Sequence, residues 1–85
     1  EAELGKNMLF ITNEDKPGFI GELGSRLANA NINIATFHLG RTKIGGDAIA
    51  LIEIDEAVSQ DTIKLLMNIP QVKSVKFLNF EPNII

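Results

Sequence analysis

The chain has 85 residues, of which 45% are apolar and 22% are charged, and it carries a net charge of −3 with no cysteine. Below about 70–80 residues a core rarely contributes more than about 3–5 kcal/mol, and this chain is just above that length. We therefore expect one thin-cored binding or regulatory domain that gains stability by association, and not an enzyme with its own deep cleft. The missing cysteines exclude disulfides and thiolate metal sites, while the lack of a long apolar run excludes a membrane span and favours a cytoplasmic protein.

The first predicted strand covers residues 7–13, which have strand length and β-favouring side chains. Residues 14–18 end this strand, because Pro17 lacks an amide proton and suits the first turn of a helix. The helix that follows carries apolar or small residues at amphipathic spacing, which predicts one buried face. That face comprises Ile20, Leu23, Gly24, Leu27 and Ala30. Asn31 follows, and asparagine tolerates the left-handed conformation in which many helices end.

The second and third predicted strands form a hairpin. They cover residues 32–41 and 48–55, and residues 43–47 between them contain a glycine pair. Glycine adopts positive φ at little steric cost, so this segment is typical of a tight turn. The two strands are therefore expected to be antiparallel neighbours.

The last two elements are a helix and a strand. Ser59 suits the N-cap of the helix, and Pro70 ends it. Its predicted inward face comprises Ile63, Leu66 and Met67. Residues 72–80 alternate between apolar and polar side chains, which predicts a final strand.

The resulting βαββαβ order indicates a ferredoxin-like α+β sandwich, with a four-stranded antiparallel sheet in the order 4-1-3-2 and both helices on one face. The domain covers residues 7–80, with tails at 1–6 and 81–85. Strand two lies at an edge of this sheet and carries no charge before Arg41. Because an exposed edge pairs readily with another strand, we expect a homo-oligomer that assembles side by side through residues 32–41.

This fold hosts RNA-binding domains, metal chaperones and small enzymes, so the residues must separate these classes. An RNA-binding domain of this topology needs basic and aromatic side chains on its third strand, and residues 47–54 have neither. No serine lies in a nucleophile motif, and the single histidine, His38, excludes a multi-histidine metal site within one chain. We therefore predict no catalytic residue, no metal site and no nucleic-acid partner.

The most informative segment is residues 13–20, which joins the first strand to the first helix. Amide groups at a helix start point outward and attract anions, and Asp15 beside them suits an ammonium group. A zwitterionic amino acid meets both requirements, and Asn33 adds an amide that can donate and accept. The alternative is an ordinary turn in which Asp15 caps the helix.

Three parts of the chain resemble the ACT domain family of amino-acid-sensing regulatory modules. They are residues 15–20 (DKPGFI), the NINI entry to strand two, and the Gly45–Gly46 hairpin. Residues 33–35 (NIA), the LGR segment and residues 45–51 (GGDAIAL) are similar to the C-terminal ACT domains of the D-3-phosphoglycerate dehydrogenases. The resemblance covers about residues 7–80.

The resemblance implies a function. In that group of enzymes L-serine inhibits by bridging the first loop of one ACT domain to strand two of another, and NAD and the catalytic residues belong to other domains. It implies ligand-binding roles for Asn13, Asp15, Gly18, Phe19 and Asn33, and no cofactor or catalysis in this domain. Two alternatives are a purely structural oligomerisation domain and an ACT sensor of another amino-acid enzyme, such as L-serine dehydratase.

Overall fold

The computed structural model describes residues 7–41 and 46–79. Its elements are β1 (Asn7–Glu14), α1 (Phe19–Asn29), β2 (Ile34–Arg41), β3 (Asp47–Ile54), α2 (Gln60–Met67) and β4 (Val72–Asn79). The predicted βαββαβ order is confirmed. The predicted tails, most of the predicted turn at 43–47, and Phe80 lie outside the described residues.

The sheet has four antiparallel strands in the order β2-β3-β1-β4, as predicted. Since β1 and β3 are central, β2 and β4 form the two edges. β2 has no charged residue before Arg41, whereas β4 carries exposed Lys73 and Lys76. The two edges therefore differ in how readily they accept another strand.

One apolar core lies between the sheet and the two helices. It contains alternate residues of β1 and β3, which face the helices because successive strand residues point to opposite sides. Its buried members are Leu9, Ile11, Phe19, Leu23, Leu27, Ile32, Ala50, Ile52, Ile54, Leu66 and Ile69. Both helices thus pack on one face of the sheet, and no helix of residues 7–41 and 46–79 covers the other face.

The predicted core face of α1 is wrong by one residue at its start. Ile20 is 55% exposed, and Phe19 is 2% exposed in its place. The helix begins at Phe19, and Phe19, Leu23 and Leu27 follow one another at steps of four along one side. The residue at which a helix begins determines which side chains face the core. The spacing of apolar residues alone does not specify that first residue.

The ends of both helices explain two further differences. Met67 is 44% exposed, contrary to prediction, because α2 ends there and Ile69, whose amide donates to the Leu66 carbonyl, takes the inward position. Strand two begins at Ile34, two residues later than predicted. The amide of Ile32 donates to the Leu27 carbonyl and so belongs to the end of α1, where Asn31 has the predicted left-handed φ of 61°.

Candidate functional site

A cavity of about 360 Å³ opens where β1 enters α1. It is lined by residues 13–21 and, from the edge strand, by Leu39 and Arg41. Small-molecule sites commonly measure about 300–1,000 Å³, so this cavity is large enough for a compact metabolite. It coincides with the segment that the sequence singled out.

Gly18 shapes the entrance to α1. It is the N-cap residue, its φ is 91°, and no side chain caps the helix there. A left-handed φ is strained for most residues other than glycine. Because the first helical hydrogen bond runs from the Glu22 amide to the Gly18 carbonyl, the amides of residues 19–21 have no acceptor within the helix. They give this wall of the cavity a partial positive charge.

Asn13 brings a buried polar group to the cavity. Its side chain is 1% exposed, and its Nδ2 donates to the Ile11 carbonyl at 3.2 Å. Its Oδ1 is buried with no hydrogen-bond partner among the described residues. Leaving a buried acceptor unpaired costs about 1–3 kcal/mol, so Asn13 presents an acceptor that a ligand donor would satisfy.

Asp15 forms an ion pair with Arg41. The distance from Arg41 Nε to Asp15 Oδ2 is 2.9 Å, and the side chains are 53% and 13% exposed, respectively. The Asp15 amide also donates to the Gly46 carbonyl at 2.8 Å. The alternative in which Asp15 caps α1 is therefore wrong, because Gly18 is the N-cap and the Asp15 carboxylate is directed to β2.

Arg41 is the cavity residue that sequence reasoning missed. The sequence marks it as the first charge on strand two and as part of the LGR segment, and neither feature predicts a place in the cavity. The strand register held the signal, since Arg41 pairs with Ala48 and Ala48 pairs with Asn13. Directly paired residues point to the same face, so a hairpin in this register places Arg41 on the side of the sheet that Asn13 faces.

The remaining charges at this end of the sheet are paired. Lys16 Nζ lies 3.5 Å from Glu14 Oε2, and both residues line the cavity. On β4, Lys73 pairs with Asp47, and this hydrogen bond raises the pKa of the Lys73 ammonium above its ordinary value. Counting Glu14, Asp15, Lys16 and Arg41, the lining carries two acids and two bases, which suits a ligand without net charge.

Four of the five residues predicted to bind a ligand meet at the cavity. Asn13, Asp15, Gly18 and Phe19 all line it, with Phe19 shared between the lining and the core. Asn33 lies at the other end of the sheet, since it precedes Ile34, which pairs with Ile54. At about 3.3 Å per residue, the length of β2 separates Asn33 from Arg41 by roughly 25 Å.

Other kinds of site receive no support within residues 7–41 and 46–79. No group of three or more His, Asp or Glu side chains there is arranged to hold a metal ion. Nor does that part of the chain contain a helix of the length and hydrophobicity that crossing a bilayer requires. His38 is exposed on β2, opposite Leu51, and does not line the cavity.

Comparison with known proteins adds evidence from sequence. One protein family, described as the ACT domain, matches residues 7–71. D-3-phosphoglycerate dehydrogenase of Bacillus subtilis is 36% identical over 73 residues, which is 86% of this chain and 14% of that enzyme. The enzyme of the same name from Synechocystis is 38% identical over 69 residues, or 81% of this chain and 12% of that enzyme. The chain thus spans about one seventh of the relatives it matches.

Solved structures share the fold. The ACT domain from GTP pyrophosphokinase of Chlorobium tepidum superposes with a TM-score of 0.65 at 21% identity, covering 85% of this chain and 95% of that one. The C-terminal domain of the MgtC protein from Mycobacterium tuberculosis gives 0.62 at 11% identity, covering 94% and 95%. At these identities the likeness concerns the backbone arrangement alone.

Proposed function

Because the chain belongs to the ACT domain family, we propose that it is the amino-acid-sensing regulatory domain of a D-3-phosphoglycerate dehydrogenase, with L-serine as its ligand. The similarity to the Bacillus and Synechocystis enzymes supports this parent. Since the chain matches only about one seventh of those enzymes, oxidation of 3-phosphoglycerate and the binding of NAD are proposed for other domains. The role of this domain is then regulatory.

The unpaired Oδ1 of Asn13 is the observation that supports ligand binding most directly. It is a buried acceptor in the lining of the cavity, and the ammonium group of an amino acid is a donor of matching chemistry. Asp15 adds a carboxylate beside it. The amides of residues 19–21 give this wall a positive field that favours the carboxylate of the same ligand, because the start of a helix attracts anions.

The distance of Asn33 from this cavity supports a site shared by two copies. In one chain, Asn33 and Arg41 mark opposite ends of the edge strand. If two copies pair their β2 strands antiparallel about a two-fold axis, the start of one strand lies beside the end of the other. Asn33 of the partner subunit would then approach the cavity, and each dimer would contain two sites.

Regulation follows if serine prefers one arrangement of the two domains over another. A ligand shifts an equilibrium only by its difference in affinity between the two states. A site built from two copies has this property, since serine contacts both copies only when β2 pairs with β2. Serine would therefore stabilise the paired arrangement and, through it, one state of the parent enzyme.

Calorimetric titration with L-serine tests the proposal, in a sample whose dimeric state is established by sedimentation. We expect saturable heat with one serine per chain. Serine has seven heavy atoms, and a ceiling of about 1.5 kcal/mol per atom limits its binding free energy to roughly 10 kcal/mol. A binding free energy of about 10 kcal/mol corresponds to a Kd of about 50 nM, so the expected affinity is weaker than that.

The same titration separates the alternatives. A dimeric sample that gives no heat up to 10 mM with serine or any other amino acid would refute sensing and leave a structural oligomerisation domain, for which the Asp15–Arg41 ion pair already neutralises the carboxylate. Heat with a different amino acid and none with serine would refute serine as the ligand. It would then favour another amino-acid enzyme as the parent.

A further inference from the structure

We propose that Arg41 determines the specificity of the cavity, by binding the carboxylate of a zwitterion that inserts between Asp15 and Arg41. The inference rests on the proposed function, in which the cavity takes an amino acid, and it assigns a ligand group to each member of the ion pair. The ligand ammonium replaces Arg41 at Asp15, and the ligand carboxylate replaces Asp15 at Arg41. The ligand class is then α-amino acids with both charges and a small side chain.

The ion pair lies where such a ligand would sit. Both of its members line the cavity, and the register Arg41–Ala48–Asn13 forms one row across three strands. Neighbouring strands are about 4.8 Å apart, so the backbones of Arg41 and Asn13 are roughly 10 Å apart. A small amino acid spans the space between their side chains.

Arg41 is the member of the pair that can move. Its side chain is 53% exposed, whereas that of Asp15 is 13% exposed. It is also the last residue of the edge strand β2, and β3 is the only strand that flanks it among the described residues. Insertion of a ligand therefore requires rotation of an exposed, long side chain, while Asp15 keeps its place in the loop.

Charge balance makes the zwitterion the favoured class. An amine without a carboxylate would occupy Asp15 and leave Arg41 without its partner. A carboxylic acid without an amine would do the reverse and leave a carboxylate that is largely shielded from water, which is costly. Only a ligand with both charges replaces both halves of the pair, and the planar guanidinium matches a carboxylate with two parallel hydrogen bonds.

Lys16 does not compete for this role. Its ammonium group is 3.5 Å from Glu14, and the side chains of both are exposed, at 56% and 42%. That pair is well solvated and stays intact when a ligand occupies Asp15. Arg41 is thus the cation whose partner is displaced when the ligand ammonium arrives.

The test compares three ligands by calorimetry: L-serine, L-serinamide, which lacks the carboxylate, and glycerate, which lacks the ammonium. The wild-type chain is expected to bind serine about 10- to 100-fold more tightly than either analogue, as expected for loss of one charge-assisted hydrogen-bonded pair. The variant Arg41→Gln is expected to bind serine about 10-fold or more weakly, while its affinity for serinamide stays the same or rises, because no guanidinium is left without its partner. The preference for serine over serinamide therefore collapses.

Two further variants exclude simpler explanations. Arg41→Lys keeps the positive charge but lacks the planar guanidinium that forms two parallel hydrogen bonds. Its preference for serine over serinamide is expected to lie between those of the wild type and Arg41→Gln. Arg26→Gln is the matched control, since Arg26 pairs with Glu22 and the Leu65 carbonyl, away from the cavity, and it is expected to bind all three ligands as wild type does. Circular dichroism melts establish that each variant is folded.

The outcomes separate this inference from the proposed function. If the wild-type chain binds serine but Arg41→Gln retains the full preference over serinamide, Arg41 has no role in specificity and the inference is overturned alone. If Arg41→Gln loses affinity equally for serine and serinamide, Arg41 only stabilises the loop that contains Asp15, and the inference is also overturned. If wild type binds no amino acid, the proposed function fails and the inference fails with it.

Discussion

Asn7 and Asn13 lie on the same face of β1, near its opposite ends, and both are buried, at 7% and 1% exposure. The Oδ1 of Asn7 accepts a hydrogen bond of 2.7 Å from Asn79 Nδ2 on β4. The Oδ1 of Asn13 has no partner among the described residues. The same side chain is thus satisfied by the fold at one end of the strand and left unsatisfied at the other.

The difference separates a structural role from a binding role. An unpaired buried acceptor costs about 1–3 kcal/mol, which is a large fraction of what a core of this size contributes. Of the two asparagines, only Asn13, at the end of β1 where the cavity lies, carries that cost. Substitutions at the two positions should therefore have opposite effects on stability and binding.

The largest effect is expected for Asn13→Leu. Replacing the amide with an apolar side chain of similar size removes an acceptor that the ligand ammonium would use, so serine binding should weaken by about 1.5–3 kcal/mol. Stability should stay the same or rise, because the unpaired Oδ1 is gone. Calorimetry and thermal melts measure the two quantities, and unchanged serine affinity would contradict the binding role.

Asn33→Ala should weaken serine binding by about 1–3 kcal/mol, although Asn33 lies at the same end of its own sheet as Asn7. The reason is that Asn33 acts on the cavity of the partner chain. Mixed dimers provide the decisive measurement. A dimer of one Asn13→Leu chain and one Asn33→Ala chain contains one intact site and one doubly altered site. It should therefore bind one serine per dimer with wild-type affinity, where the wild-type dimer binds two. If both sites of the mixed dimer bind serine weakly and neither has wild-type affinity, the site is not shared between the two chains.

Asn7→Leu is expected to reverse the pattern. It removes the partner of Asn79, so the free energy of unfolding should fall by about 1 kcal/mol, the usual net contribution of one hydrogen bond. Serine affinity should not change, because Asn7 is distant from the cavity. Denaturant unfolding measures the stability, and the same titration measures the serine affinity. If Asn7→Leu loses as much serine affinity as Asn13→Leu, the proposed difference between the two asparagines is wrong.

The smallest effect concerns Lys73, on β4 near Asn13. Its folded-state pKa is raised above its ordinary value of 10.5 by the hydrogen bond to Asp47. A raised pKa means that the pair stabilises the folded chain below pH 10.5 and that this contribution is lost as the pH rises through the folded-state pKa. Melts of wild type and Lys73→Met should differ slightly at pH 8 and converge at high pH. A difference that stays constant as the pH rises through the titration of Lys73 would show that it comes from packing and not from the ion pair.

Much of the fold was predictable because local signals agreed with one another. Ser59 and Pro70 mark helix boundaries through general backbone chemistry, and the Ser59 hydroxyl does accept from the Thr62 amide. Pro17 lies just before the Gly18 N-cap and not in the first turn of α1, where it was expected. The strand order then follows from the βαββαβ topology. The errors at Ile20 and Met67 both lie at helix ends, where a shift of one residue rotates the predicted face by about 100°.

The candidate site was predictable in position but not in electrostatics. The loop chemistry indicated Asn13 and Asp15 as polar residues near a helix start. The unpaired Oδ1 of Asn13 and the partner of Asp15 depend on which side chains the sheet register brings together, and neither is a local property of the chain. Arg41 is 26 residues from Asp15 in sequence, and only the pairing of β2 with β3 reveals their contact.

The difference in charge between the β2 and β4 edges of the sheet limits how many copies of the chain can assemble edge to edge. If β2 pairs with its copy about a two-fold axis, the dimer ends in two β4 edges, each carrying the lysines described above. Pairing of β4 with β4 would bring the Lys76 ammonium groups of two chains together, which is unfavourable, whereas each Lys73 is already paired with Asp47. A chain with two uncharged edges could extend copy by copy into a filament, whereas this one is expected to stop at a closed pair. The charge on β4 thus favours a closed pair over continued edge-to-edge assembly.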